Sequence, residues 1–350
     1  MFPLRCNVFS CAFLGCSIEG KTPTSSGESY KRRANEPDRS TGMNVEKIPH
    51  WALSVTTGEW IAFAKKVGGA AACDVFHAVL RGELTTELKQ AIFFDKNGQR
   101  LIPPGLKAAV TRPTAIHQLH QPELDYADIL PRLVAAFLGV ESMANSLFAL
   151  GTIAFKAQSD ALLAKIAATP SIANILNGVH LPIVIPQFEV TDYGHALQQV
   201  FFPAVGQSYE SQFPRRHFHQ HLSAKLAGNV SIVNGSRHER LVERMKDGPV
   251  VGIYFPNPLQ GWSVDAQREQ MGNLYSGLLL AGGIDSAIAQ VMYPGELSLD
   301  ANTPYRYMAA IKLPGKSLYF NPMENWLTVS EDGITGATRG YYSGGLTFIG

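Results

Sequence analysis

The spacing of apolar residues changes at Pro170, and that change constrains the fold more than any other feature of the chain. Upstream, "ELDYADILPRLVAAFLGVESMANSLFALGTIAFKAQSDALLAKIAAT" (Glu123 to Thr169) repeats its apolar positions at the helical period, with Pro131 expected in a first turn. Further upstream, "TTGEWIAFAKKVGGAAACDVFHAVLRG" reads as two helices divided at Gly68-Gly69 and stopped at Gly82. Downstream, "HLPIVIPQFEV", "QQVFFPAV", "GPVVGIYFPNP", "LYSGLLLAGG" and "KSLYFNP" are short apolar runs bounded by Pro, Gly and Asn, which is the punctuation of strands. The expected class is α+β, with a helical N-terminal half and a mixed, strand-rich C-terminal half.

Four regions follow from this texture. Residues 1–42 read as a disordered or non-native extension, because "SIEGKTPTSSGESYKRRANEPDRSTG" has too little apolar surface to order itself, and Met43 is the expected working start. The first residues, with Cys6, Cys11 and Cys16, allow a lipoprotein-type signal, although the apolar stretch is very short. Residues 43–170 are expected to form a mainly helical region, 171–262 an α+β region, which the basic stretch below marks as the candidate nucleic-acid contact, and 263–350 a C-terminal α+β region. The longest apolar segment, Leu133 to Phe155, is interrupted by Glu141, Ser142, Asn145 and Ser146, so it reads as a core helix and no membrane partner is expected. With only Cys73 beyond the first 16 residues, no disulfide framework or zinc knuckle can form, which suits a cytoplasmic protein.

The functional question lies in "FPRRHFHQHLSAKLAGNVSIVNGSR" (Phe213 to Arg237). On a strand, His217, His219 and His221 share one face. Zinc takes three or four His, Cys or carboxylate ligands, yet no Cys, Asp or Glu falls between Ser211 and His238, so no metal is expected there. Charge points elsewhere. Arg215, Arg216, Lys225, Arg237, Arg240, Arg244 and Lys246 face only Glu239, Glu243 and Asp247, a local excess of +4 in a chain whose net charge is +1. Cations supply affinity for phosphate, and Asn229 and Asn234 have the groups to read base edges. Taken alone, such a run is more often a solvated basic face. His117 and His120 in "HQLHQ" are a weaker pair for catalysis.

A second motif suggests a different chemistry. "LLLAGGIDSAIAQ" (Leu278 to Gln290) resembles the pyrophosphate loop of ATP pyrophosphatases, in which glycines let backbone amides approach phosphate at a helix N-terminus. Here Ala281 stands where the leading serine usually is, and the motif lies late in the chain. An ATP-using enzyme built on Gly282, Gly283, Asp285 and Ser286 is the alternative function, and a tight strand-to-helix turn is the plainer explanation.

Three segments in order resemble the large subunit of the type I-F CRISPR surveillance (Csy) complex. They are "VGGAAACDVFHAVL" (Val67 to Leu80), "HALQQVFFPAVGQSYESQFPRRHFHQHL" (His195 to Leu222) and "LAGNVSIVNGSR" (Leu226 to Arg237). The resemblance implies a cytoplasmic, non-catalytic subunit of an RNA-guided effector in antiviral defence. Its implied partners are the guide RNA, the motif flanking a double-stranded DNA target, and other effector subunits, with no cofactor. By position, Asn229 matches a motif-reading asparagine and Lys225 the duplex-wedging lysine, though four residues ahead of Asn229 where the family has three. Gly69 stands where the family has a first asparagine. Arg215, Arg216, His217, His219, Asn234 and Arg237 complete the implied nucleic-acid contacts.

Overall fold

A computed structural model describes residues 94–350 apart from 104 and 334. The two helices expected around Gly68-Gly69, and Gly69 itself, lie outside the described residues. Residues 94–125 form no helix. Pro103, Pro113 and Pro122 interrupt that tract, and its backbone is tied by isolated bridges such as Val110 to Trp262.

The first helix, α1 (Tyr126–Ala136), is capped by Asp125, whose carboxylate accepts the Ala127 N–H at 2.9 Å. That cap places Pro131 in the second turn, not the first. Helix α2 (Glu141–Ala167) follows after a break at Phe137 to Val140 and is itself interrupted at Gly151, where φ is +67°. The expected single core helix over Leu133 to Phe155 is therefore broken twice, at Phe137 to Val140 and at Gly151, with Leu133, Leu147 and Phe155 buried and Ile153 exposed. None of the described helices is long and apolar enough to cross a membrane.

Strand β1 (Leu181–Ile185) is wholly buried, as is β4 (Val250–Phe255), and the two pair antiparallel with Leu181 opposite Tyr254. Between them, "QQVFFPAV" is helical, contrary to its strand-like punctuation. A short turn (Tyr193–Ala196), a π-helical turn (Leu197–Phe201) and α3 (Phe202–Gln212) run on continuously. Tyr193, Leu197, Phe201, Val205 and Tyr209 are all buried, four residues apart, and this helical period outweighs the local Phe-Phe-Pro signal. Pro203 comes just after the π-helical turn, where the helical hydrogen-bond ladder is already irregular and can accommodate a residue with no N–H to donate.

The chain continues through β2 (His217–His221), β3 (Ser231–Ile232) and α4 (Glu239–Asp247) to β4, then α5 (Val264–Gln270), β5 (Leu278–Leu280) and α6 (Gly283–Met292). Every residue of α6 is buried, as befits an apolar helix at the centre of a core. The remaining strands are β6 (Tyr305–Tyr307), β7 (Ile311–Lys312), β8 (Ser317–Pro322), β9 (Trp326–Asp332), β10 (Tyr342–Gly344) and β11 (Leu346–Phe348).

One sheet has the order β1-β4-β11-β5, a second β10-β6-β8-β9-β2, and β3 pairs with β7. The mixed α+β class is as the sequence implies. Both larger sheets draw strands from either side of residue 262, and both buried clusters draw residues from 171–262 and 263–350.

Candidate nucleic-acid interface

Strand β2 lies at the edge of the five-stranded sheet and runs parallel to β9, with His217 opposite Trp326, His219 opposite Thr328 and His221 opposite Ser330. Alternation puts the three histidines on one face and Phe218 on the other. Phe218 packs over Gly206 of α3, where an added Cβ would lie 2.9 Å from its Cδ1. The Phe218 N–H donates to Glu210 Oε1 at 3.0 Å. Thus α3 holds the strand from beneath and leaves His217, His219 and His221 exposed. Ring centroids are 6.3 Å apart between His217 and His219, and 5.8 Å between His219 and His221 in a stacked arrangement.

The same face continues across the sheet. Ser330 is opposite Tyr319 of β8, Tyr319 is opposite Tyr307 of β6, and Tyr305 is opposite Tyr342 of β10. Tyr305 stacks on Tyr319 at 5.7 Å and on Tyr342 at 6.0 Å. Tyr307, lying 4.9 Å from Tyr319, is buried in the core cluster that holds Trp262 and Phe348, against which Tyr305, Tyr319 and Tyr342 also pack, while Trp326 is exposed at the far edge. Sequence reasoning passed over these rings. Their available signal was the alternation in Tyr305-Arg306-Tyr307.

The loop after β2 is anchored at the buried Leu226. Gly194 lets it approach, since a Cβ there would collide with the Leu226 carbonyl oxygen. Gly228, with φ of +74°, donates its N–H to Asp192 at 2.7 Å. Backbone N–H groups of His195 and Gly228 hold the Asp192 carboxyl below its ordinary range. Lys225 and Asn229 are exposed on this loop. The Asn229 amide donates to the carbonyls of Lys225 (3.0 Å) and Ala227 (3.3 Å), so its N–H groups shape the loop. Asn234 is exposed at the turn after β3.

The basic excess that stands out in sequence is largely consumed by the fold. Arg237, at φ of +64°, turns its guanidinium onto the carbonyls of Met271, Leu274, Tyr275 and Leu278. Burial pushes its pKa below the usual arginine value. Arg240 donates to the Ser276 carbonyl, Arg244 to that of Ile349, and Lys246 to Glu243. Arg216 stacks on Phe213 at 4.3 Å and donates to the Leu299 carbonyl. Arg215 and Lys225 remain as the exposed cations flanking β2.

The Gly282 to Ser286 turn is built differently. Tyr193 Oη accepts the N–H groups of Gly283 (3.1 Å) and Ile284 (3.2 Å), and lies 2.7 Å from Nε2 of His238. With its oxygen accepting both amides, the Tyr193 hydroxyl donates to His238. Asp285 accepts from Gly282 N–H at 2.8 Å, Ser286 N–H at 3.1 Å and the Thr347 hydroxyl at 2.6 Å. All of this is buried. Burial lowers the pKa of His238 and raises that of Asp285. A Cβ on Gly282 would lie 2.6 Å from the His238 ring, and one on Gly283 2.5 Å from Leu197 Cδ1. The glycines make room for protein side chains, and the amides a phosphate would need already have partners.

Among the described residues, no group of three or more His, Cys, Asp or Glu is arranged to hold a metal ion. Comparison with family models, curated proteins and solved structures finds no match to the chain.

Proposed function

We propose that the chain is a non-catalytic, cytoplasmic nucleic-acid-binding subunit of an RNA-guided, CRISPR-type effector related to the large subunit of the Csy complex. The observation that carries this reading is the edge of the five-stranded sheet. His217, His219 and His221 are exposed in a row there, beside the exposed Arg215 and the Lys225 to Asn229 loop, with their backbone secured from beneath by α3. Cations at Arg215 and Lys225 are placed to meet phosphate. Asn229, once its local hydrogen bonds are exchanged, can meet a base edge. Target cleavage then belongs to another subunit. The Gly282 to Ser286 turn gives no support to the ATP-using alternative, because Tyr193 and Asp285 already take its amides.

The test is co-expression of the full chain with a guide RNA and the other effector subunits, followed by binding to duplex targets differing only in the flanking motif. The expected result is RNA carried through purification and a flank preference that Asn229→Ala removes, a loss of about 5- to 150-fold in discrimination. A chain that joins no RNA-containing complex and binds no duplex at low salt overturns the proposal.

A further inference from the structure

Asparagine followed by glycine is the step of a chain most open to attack on a side-chain amide by the backbone, because glycine has no Cβ to shield its nitrogen. The chain holds three such steps, Asn97-Gly98, Asn177-Gly178 and Asn234-Gly235. The fold locks the first two. Gly98 donates its N–H to the Asp95 carbonyl at 3.0 Å, and Gly178 donates to that of Ile175 at 3.1 Å. The two steps also pack on each other. A Cβ on Gly98 would collide with the Gly178 nitrogen, and one on Gly178 would lie 3.0 Å from the Asn97 carbonyl oxygen. Neither glycine nitrogen can turn toward its asparagine side chain without breaking a hydrogen bond and this contact.

The third step is open. Asn234 and Gly235 are the central residues of a turn closed by the Ser236 N–H, which donates to the Val233 carbonyl at 3.1 Å. Both residues are exposed, and Gly235 takes a φ of +79° that suits glycine. A Cβ on Gly235 would meet nothing within 4 Å. Among the described residues, neither the Asn234 side chain nor the Gly235 N–H has a hydrogen-bond partner. The flanks of the turn, by contrast, are pinned. Val233 donates to the Ala310 carbonyl at 2.8 Å, and the Ser236 carbonyl accepts the Leu280 N–H at 3.0 Å.

We infer that the fold protects two of these steps and leaves Asn234 as a site of spontaneous deamidation through a cyclic imide with Gly235. The Gly235 nitrogen loses its proton and bonds to Asn234 Cγ, the Cγ–Nδ2 bond breaks, and ammonia carries the proton away. Water then opens the ring. Cleavage between the Gly235 nitrogen and Cγ gives aspartate. Cleavage between that nitrogen and the Asn234 backbone carbonyl carbon gives isoaspartate, with the main chain rerouted through the side chain and lengthened by a methylene. Either product replaces a neutral amide by a carboxylate. Isoaspartate also lengthens a turn whose two flanks are held by Ala310 and Leu280. Under the function proposed above, Asn234 then loses its donor to a base edge and presents a charge that phosphate repels. The chemistry itself needs no ligand and stands apart from that reading.

The experiment ages the full chain at mildly alkaline pH, once in native buffer and once in urea, and follows the three asparagines by peptide mapping with mass spectrometry. Deamidation appears as a gain of about 1 Da, and chromatography separates the aspartyl from the isoaspartyl peptide. In the folded chain Asn234 is expected to convert about ten-fold faster than Asn97 or Asn177, the factor supplied by one hydrogen bond that a locked step must first give up. In urea the three rates should draw together to within about three-fold, because unfolding removes the lock. Asn234→Gln should abolish the conversion at this position and leave the melting midpoint unchanged, since glutamine must close a larger ring and the side chain is exposed.

Conversion of Asn234 no faster than that of Asn97 and Asn177 in the folded chain overturns the inference. So does a lead for Asn234 that persists undiminished in urea, because the preference would then belong to the neighbouring residues and not to the fold. Neither result touches the proposed function, which is tested by binding.

Discussion

The Gly282 to Ser286 turn and the His217 to His221 strand are the two motifs with chemical groups dense enough to suggest function, and the fold treats them in opposite ways. In the turn, both carboxylate oxygens of Asp285 and the hydroxyl of Tyr193 face inward and accept from named donors, and a histidine is sealed beside them. On the strand, Phe218 goes inward and the histidines stay outside. The Asp285 carboxylate and the Tyr193 hydroxyl, satisfied inside the core, do structural work because the protein already offsets their desolvation, while the Ser286 hydroxyl and Nδ1 of His238 beside them are buried without a hydrogen-bond partner among the described residues. An exposed group beside a rigid scaffold is available to a ligand. The contrast separates the turn from the strand without reference to either motif's pattern of letters.

The contrast breaks most visibly at Asp285. Asp285→Ala leaves the N–H groups of Gly282 and Ser286 and the Thr347 hydroxyl without an acceptor in a dry site, which should cost about 3 kcal/mol or more in urea-unfolding experiments. Nucleic-acid affinity should be unaffected under conditions where the variant remains folded. Selective loss of binding, with stability intact, would place the turn in the functional surface.

The buried histidine beside the turn should make stability answer to acid. Burial depresses the pKa of His238, so the unfolded chain takes up its proton near the ordinary value of about 6.5 while the folded chain resists. The associated stability is complete above that pH and is lost as pH falls toward the folded value, at up to about 1.4 kcal/mol per pH unit. Asp285, whose carboxyl is pushed up by burial, acts with the opposite sign in a window that starts at the ordinary carboxylate value. Urea midpoints between pH 8 and pH 5 should therefore decline below about 6.5. A profile that stays flat below about 6.5 would contradict the assignment.

Much of the architecture was visible in the sequence where one signal acted alone. The apolar runs that became β1, β4, β5 and β8 were bounded by Pro, Gly or Asn, and alternation in "HFHQH" already put three histidines on one side. Where two signals competed, the longer-range one won. "QQVFFPAV" has strand punctuation over eight residues but helical spacing from Tyr193 to Tyr209, and the spacing decides. Net charge misled for a related reason. Counting cations along the chain cannot show that Arg237, Arg240 and Arg244 are drawn onto backbone carbonyls from distant segments. Nor could the tyrosine face be seen, since Tyr305, Tyr319 and Tyr342 come from three separate strands and meet only through sheet register.

A gentler change sharpens the same contrast from the exposed side. Gly206→Ala pushes a methyl against Phe218, the residue that seats β2 on α3, and overpacking of this kind costs about 1–3 kcal/mol. Because the strand would be lifted together with the flanking Arg215 and Lys225, nucleic-acid affinity should fall. Unchanged affinity in the folded variant would mean that the position of β2 does not matter to binding.

The smallest change in the protein gives the most direct measurement. Arg215→Ala together with Lys225→Ala removes two exposed cations and should leave the melting midpoint unchanged. Duplex affinity measured from low to moderate salt should keep a linear dependence of log affinity on log salt, with the slope shallower by about 0.9 for each phosphate no longer neutralised, or about 1.8 in all. An unchanged slope in the folded double variant would show that phosphate does not meet this edge of the sheet, and would contradict the nucleic-acid reading of the site.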